Sequence, residues 1–237
     1  MRLIVCENYE EISKKAAEIV AAQVLLKPDC TLGLATGSSP IGMYENLTAM
    51  GLDFSKVTTF NLDEYYPITR DNDQSYYYFM NQHLYSKVNL RPENIHIPNG
   101  SAPDPEAECA AYDAAIEANG GIDLQVLGIG QNGHIGFNEP GETLTAGTHM
   151  TGLTQNTIEA NARFFDKIED VPTKALTMGI APIMKAKTIL LVANGKAKAP
   201  AIKALMGNQV DPQSPATVLT CHPNVIVIVD REAASEL

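Results

Sequence analysis

The chain has 237 residues, a formal charge of -11 at pH 7 and a pI near 4.8. Its length suits one α/β domain spanning 1–237, and its acidic balance argues against a general nucleic-acid or anionic-membrane surface, because those partners need a positive footprint. Cys6, Cys30, Cys109 and Cys221 form no CxxC pair, so reduced thiols are expected rather than a zinc site or a disulfide framework.

The opening MRLIVCENYEE is a short apolar run met at once by acids. It has the pattern of neither a secretory signal nor a spanning segment, and a cytoplasmic protein is expected. Arg2 to Cys6 reads as a strand. Asn8 followed by Glu11 reads as a reciprocally capped helix start, with Ile12, Ala16, Ile19, Val20 and Val24 on one face up to Leu26.

Cys30 to Ala35 reads as a second strand that runs into Thr36, Gly37, Ser38, Ser39 and Pro40, ahead of a helix carrying Met43, Leu47 and Met50. Strand, small-residue loop and helix together make a phosphate cradle: glycine permits close approach, hydroxyls donate, and first-turn amides carry partial positive charge. Pro40 suits the first helical position. The GK[ST] element of a Walker loop is absent, as is GxGxxG.

Val57 to Asn61 is another β-branched run, ending in Leu62, Asp63, Glu64, Tyr65 and Tyr66. Acids just past a parallel strand sit at the carboxyl edge, where open α/β sheets bind ligands. Neighbours on an extended backbone point to opposite sides, so one of Asp63 and Glu64 is expected to face the pocket and the other to be structural or solvated. The tyrosine-rich segment from Ser75 to Val88 reads as a helix whose aromatic face packs on the core or walls a pocket. His96, on the short strand IHIP, reads as structural. Asp104 to Asn119 is an alanine-rich helix closed by Gly120 and Gly121.

The apolar run Ile122, Leu124, Val126 and Leu127 reads as a buried strand opening into GIGQNGHIGFNEPG, from Gly128 to Gly141. This loop gathers Asn132, His134, Asn138 and Glu139. Histidine titrates nearest neutrality, and a carboxylate close by can hold and recharge it as a proton shuttle requires. Thr143 to Leu153 reads as a rim or lid. Asn156 to Phe165 reads as a helix carrying Arg163, Ala175 to Gly179 as a short extended piece, and Thr188 to Val192 as a buried strand. That strand opens into Asn194, Gly195, Lys196 and Lys198, and lysines at a helix start oppose the macrodipole unless an anion sits between them. Val225 to Val229 is the last strand. Strands alternating with helices imply a doubly wound, mostly parallel sheet with helices on both faces, a Rossmann-like three-layer α/β fold.

Separate strand ends thus deliver a hydroxyl-and-glycine loop, a carboxylate pair and a His/Glu loop, and later segments add Arg163 and a basic helix start. A monophosphorylated sugar fits this set: cations and amides hold the phosphate, a carboxylate works on a carbon-bound proton, and an imidazole moves protons between ring oxygens.

LGLATGSSP, FNLDEYY, GIGQNGHIGFNEPG, NARFF and NGKAKAPAI, in that order and across nearly the whole chain, resemble the glucosamine-6-phosphate deaminase (isomerase) family. The resemblance implies conversion of D-glucosamine 6-phosphate and water into D-fructose 6-phosphate and ammonia in amino-sugar catabolism, with no metal or organic cofactor. It implies Asp63 as the base that takes the C2 proton and returns one to C1, and His134 as the group that opens the pyranose ring, oriented and charged by Glu139. Thr36, Gly37, Ser38 and Ser39 match its phosphate loop, Arg163 a phosphate ligand, and the pattern G-x-x-K-A-x-A selects Lys198 over Lys196. Asn132 stands where allosteric members carry an aspartate, which is expected to shift the pH profile. The stretch GETLTAGTHMT and an end at Leu237 depart from the allosteric pattern, so a monomer or small homo-oligomer is expected. The alternatives are a 6-phosphogluconolactonase-like hydrolase, which would not need Asp63, and a non-catalytic sugar-phosphate sensor.

Overall fold

The apolar runs of the sequence pair into one parallel sheet in the computed structural model, which describes residues 1–155, 158, 167 and 171–237. Its strands are β1 (Arg2–Cys6), β2 (Thr31–Leu34), β3 (Thr58–Asn61), β5 (Ile95–His96), β6 (Leu124–Leu127), β9 (Thr188–Ala193) and β10 (Val225–Asp230), in the order β1-β10-β9-β6-β2-β3-β5. Every pairing in this sheet is parallel, and β2, β6 and β9 are buried almost throughout, as strands covered on both faces must be.

The helices are α1 (Tyr9–Leu26), α2 (Ile41–Ala49), α3 (Tyr76–His83), α4 (Pro105–Ala118), α5 (Ile180–Met184) and α6 (Ala199–Met206). The expected cap of α1 forms with one change. Asn8 Oδ1 accepts from Glu11 N at 3.0 Å, but the Glu11 carboxylate reaches back to Glu7 N at 2.6 Å rather than to Asn8 N. Ile12, Ala16, Val20 and Val24 of α1 are buried. On the opposite end of the strands from the candidate site, Asp123 joins the layers by accepting from Lys27, Lys187 and Thr31 N. Tyr112 of α4 meets Phe60 edge-on, while His96 stacks on the other side of Phe60 at 4.4 Å, a packing role consistent with its sequence reading.

A second sheet was not legible in the sequence. Strands β4 (Asp63–Tyr66), β7 (His149–Gly152) and β8 (Lys174–Thr177) form an antiparallel sheet in the order β4-β8-β7. Asp63 and Glu64, read as residues trailing off β3, therefore open a strand of their own. Leu62 is the hinge: its N–H donates to Leu34 O in the main sheet and its carbonyl accepts from Met178 N beside the small one. The stretch from Thr143 to Leu153, read as a rim or lid, includes β7 and is tied to α4, since Asp113 accepts from both the amide and the hydroxyl of Thr148. Short strands of mixed polarity carry no periodic signal, and only their long-range partners define them. Pro40 also falls one position earlier than expected, at the N-cap of α2.

The main core fills the space between the parallel sheet and its helices, and a smaller cluster of Tyr65, Ile68, Phe137, Leu153 and Ala175 fills the space behind β4 and β8. The chain runs from β2 outward to β3 and β5 on one side, whereas β6, β9 and β10 lie on the other. The crevice between the carboxyl ends of β2 and β6 is therefore the topological switch point.

Candidate active site

A cavity of about 200 Å³ opens at that switch point. Its walls include Thr36, Gly37, Ser38 and Ser39 after β2, Asp63 at the start of β4, Gly128 to Gln131 and His134 after β6, and Lys198 after β9. Residues far apart in sequence meet because parallel strands deliver all their carboxyl ends to one edge.

The β2–α2 loop turns at Gly37, whose φ of +92° is open to glycine and strained for most other residues. The first turn of α2 holds no acidic side chain to compete for its positive end. Ser39 Oγ donates to Asn194 Oδ1 at 2.8 Å, tying this loop to the turn that carries Gly195 and Lys198. Gly195, at φ +85°, donates its N–H to the Asp230 carboxylate, and a short 3-10 turn from Lys196 to Lys198 follows. Lys198 lines the cavity, whereas Lys196 is not among its walls. Arg163 lies outside the described residues.

Asp63 is 6% exposed and Glu64 2%. They diverge as strand neighbours should: Asp63 faces the cavity, whereas Glu64 points to the start of α3. There Glu64 Oε1 accepts from Tyr65 N at 2.9 Å and Tyr76 N at 2.8 Å, and Oε2 accepts from Tyr77 N at 3.0 Å. Burial, reinforced by the adjacent Glu64, pushes the Asp63 carboxyl up to about 8. Burial also pushes Glu64 upward, although its three amide donors pull the other way.

The loop after β6 is shaped by glycine. A Cβ on Gly130 would stand 2.3–2.6 Å from ring atoms of His134, so the imidazole lies directly over bare backbone. Gly136 has φ +57°, and a Cβ there would lie 3.5 Å from Asp63 Oδ2 and 2.9 Å from Thr177 Oγ1. The loop is clamped by Phe137 N donating to Thr177 Oγ1 and by Asn138 Nδ2 donating to the carbonyls of Ile135 and Met178. Thr177 is itself the register partner of Asp63, so one side chain ties the histidine loop to the strand of the buried acid.

His134 Nδ1 stands 3.4 Å from Glu139 Oε2, without the alignment of a good hydrogen bond. Asn132 Nδ2 donates to that same oxygen at 2.7 Å, and Asn132 Oδ1 accepts from the backbone N–H of His134 at 3.2 Å. The amide thus ties the Glu139 carboxylate to the backbone of the histidine loop. Thr154 Oγ1 donates to the other Glu139 oxygen at 3.3 Å.

Tyr76 and Phe137 also line the cavity, stacked 6.1 Å apart. The tyrosine-rich segment pointed to a packing face or a pocket wall without singling out Tyr76. Thr177 had no sequence signal at all, since its role comes from pairing with β4. Among the described residues, no group of three or more His, Cys, Asp or Glu side chains is placed to hold a metal ion.

Comparison with known proteins agrees with this geometry. The family model for glucosamine-6-phosphate isomerases/6-phosphogluconolactonase matches residues 7–227. Glucosamine-6-phosphate deaminases of Clostridium perfringens and Halothermothrix orenii are 56% and 55% identical over 241 aligned residues, covering 100% of both chains in each case. A solved structure described as a monomeric glucosamine-6-phosphate deaminase superposes with a TM-score of 0.97 at 45% identity, covering 100% of each chain. The 6-phosphogluconolactonase of Thermotoga maritima shares the fold alone, with a TM-score of 0.76 at 20% identity over 97% of this chain and 99% of its own. The chain belongs to the glucosamine-6-phosphate isomerase/6-phosphogluconolactonase family and, within it, to the glucosamine-6-phosphate deaminases.

Proposed function

We propose that the chain converts D-glucosamine 6-phosphate and water into D-fructose 6-phosphate and ammonia, as one catalytic domain spanning 1–237. The observation that carries the residue assignment is a single cavity lined both by Asp63 and by His134, with the Thr36–Ser39 loop and Lys198 on its walls. The loop and Lys198 hold the phosphate, and Arg163 is assigned to the same anion from sequence. The Asp63 carboxylate takes the proton from C2 of the open-chain sugar and returns one to C1. A buried carboxyl pushed up to about 8 suits that task, since its ionised form is a far stronger base than a solvated carboxylate. Return of the proton to C1 leaves an imine at C2, to which water adds; ammonia then leaves and the C2 ketone remains.

His134 opens the pyranose by passing the proton of the anomeric hydroxyl to the ring oxygen as the C1–O5 bond breaks. Glu139 stands behind its Nδ1, and Asn132 holds Glu139 in that place. Anchoring the phosphate makes both proton transfers intramolecular, which removes most of their entropic barrier. We place this activity in the cytoplasm, acting on amino sugars that include those released from sialic acid, in keeping with the acidic composition of the chain; among the described residues no helix is long and apolar enough to cross a membrane. The relative described as monomeric supports a monomer or small homo-oligomer with simple kinetics.

Ammonia release from glucosamine 6-phosphate tests the reading, with Asp63→Asn as its partner measurement. Turnover in the wild type and its loss in the variant are expected. Lactone hydrolysis that persists in Asp63→Asn, with no ammonia from either protein, would overturn it in favour of a lactonase.

A further inference from the structure

Glu64 is buried beside the proposed base, yet it faces away from the cavity and takes no part in the chemistry described above. Its environment is unusually complete. The two oxygens take the amides of Tyr76 and Tyr77, the first two residues of α3, and the amide of Tyr65 on its own strand. Ser75 Oγ takes the next donor of the helix, from Tyr78 N at 3.0 Å. A carboxylate from a distant strand thus does for the start of α3 what a local cap does elsewhere, and favours it further through the helix dipole.

The residue fixed most directly by these bonds is Tyr76, whose ring forms a cavity wall. That ring sits 4.7 Å from Tyr65 and 6.1 Å from Phe137. We propose that Glu64 is a positioning residue for Asp63: it pins the first turn of α3, and with it the Tyr76 wall, against the strand that carries the base. The inference rests on the reading of Asp63 as the base.

A second consequence follows from charge. Asp63 is faced by Glu64 on its own strand, by Tyr65 and Tyr76 in the aromatic cluster, by Tyr112 from α4, and by His134 and Lys198 in the cavity walls. Of these, Glu64 is the one whose charge raises the proton affinity of Asp63, and Arg70 favours that charge by holding the Glu64 carboxyl down. The same side chain therefore fixes the wall and adds to a base strength that comes first from burial.

Two substitutions separate these roles. Glu64→Asp keeps the charge but is one methylene too short to reach α3. It is expected to raise KM roughly tenfold with the acid limb of the pH profile in place. Glu64→Gln keeps the reach, retains with its carbonyl the bonds from Tyr65 N and Tyr76 N while giving up that from Tyr77 N, and loses the charge; it is expected to move the acid limb of kcat/KM down by roughly half a pH unit or more. Tyr76→Leu leaves the Glu64 bonds intact and reads the wall alone. It is expected to reproduce the rise in KM whether or not the Glu64 variants fold. Unchanged KM in Tyr76→Leu, or wild-type constants in a folded Glu64→Asp, would overturn the proposal. Asp63→Asn is measured alongside: if it stays active, the assignment of the base fails, whereas an inactive Asp63→Asn beside normal Glu64→Asp and Tyr76→Leu proteins sinks only the positioning role.

Discussion

Asn132 and Glu139 are joined by a 2.7 Å hydrogen bond to the very carboxylate oxygen that faces His134. An amide at this position donates to Glu139 without adding charge beside the imidazole. Replacing Asn132 by Asp adds negative charge beside His134 and favours imidazolium, so the limb of the pH–rate profile due to ring opening should move to higher pH. Asn132→Ala removes the donor and should lower kcat by roughly tenfold or more, because Glu139 loses its alignment. Superimposable pH profiles for wild type and Asn132→Asp would show that Asn132 has no electrostatic part in catalysis.

The raised proton affinity of Asp63 carries two expectations of definite sign. As a base it must be ionised, so kcat/KM should fall as the pH drops through about 8. For stability the direction is opposite. The folded carboxyl keeps its proton up to about 8, whereas the unfolded chain gives it up near the ordinary aspartate value of 3.8, so folding is favoured at low pH and loses that contribution as pH rises through this window. Asparagine cannot ionise, so Asp63→Asn should be inactive yet more stable than wild type at pH 9, by at least about 1 kcal/mol or roughly 2–4 °C in Tm. Thermal melts at pH 5 and pH 9 check it; a variant less stable than wild type at pH 9 contradicts the buried, unpaired environment of Asp63.

Gly130 is required because the imidazole of His134 lies on it. A methyl group there would overlap ring atoms at 2.3–2.6 Å, far inside contact distance, so Gly130→Ala must displace the ring or the loop. The expected result is a fall in kcat of about a hundredfold or more with phosphate affinity nearly kept, since a displacement near 1 Å has that effect on a positioned catalytic group. Steady-state kinetics combined with inhibition by inorganic phosphate would check it, and an unaltered kcat would place His134 outside the rate-determining geometry.

Lys196 and Lys198 open and close a three-residue 3-10 turn and so point in different directions, and of the two Lys198 lines the cavity. Lys198→Met should raise KM and weaken inhibition by inorganic phosphate by roughly tenfold or more, as loss of a charge-assisted bond to a phosphate does. Lys196→Met should leave both within about twofold. Equal effects from the two variants would argue that the lysines act through bulk charge rather than contact.

Much of the architecture was legible in the chain itself. The apolar, β-branched runs set the strands of the parallel sheet, because burial on both faces leaves no room for an alternating pattern. Glycine, hydroxyl and acidic residues at the carboxyl ends of those runs marked the side of the sheet where the site would be, whereas the residues themselves left Lys196 and Lys198 open and resemblance to the family pattern chose Lys198. Strand alternation likewise said that Asp63 and Glu64 would part company, without saying which faced the cavity.

What only the tertiary structure decided depends on pairings between distant segments. The antiparallel sheet of β4, β8 and β7 makes Asp63 and Glu64 part of a strand, sets Thr177 against Asp63, and lets Thr177 hold the histidine loop. Local sequence records propensity and burial pattern, but a hydrogen bond from residue 137 to residue 177, or from residue 76 to residue 64, leaves no trace in either segment alone. The raised proton affinity of Asp63 belongs to the same class, since desolvation is a property of everything packed around a carboxyl and not of the residues beside it in the chain.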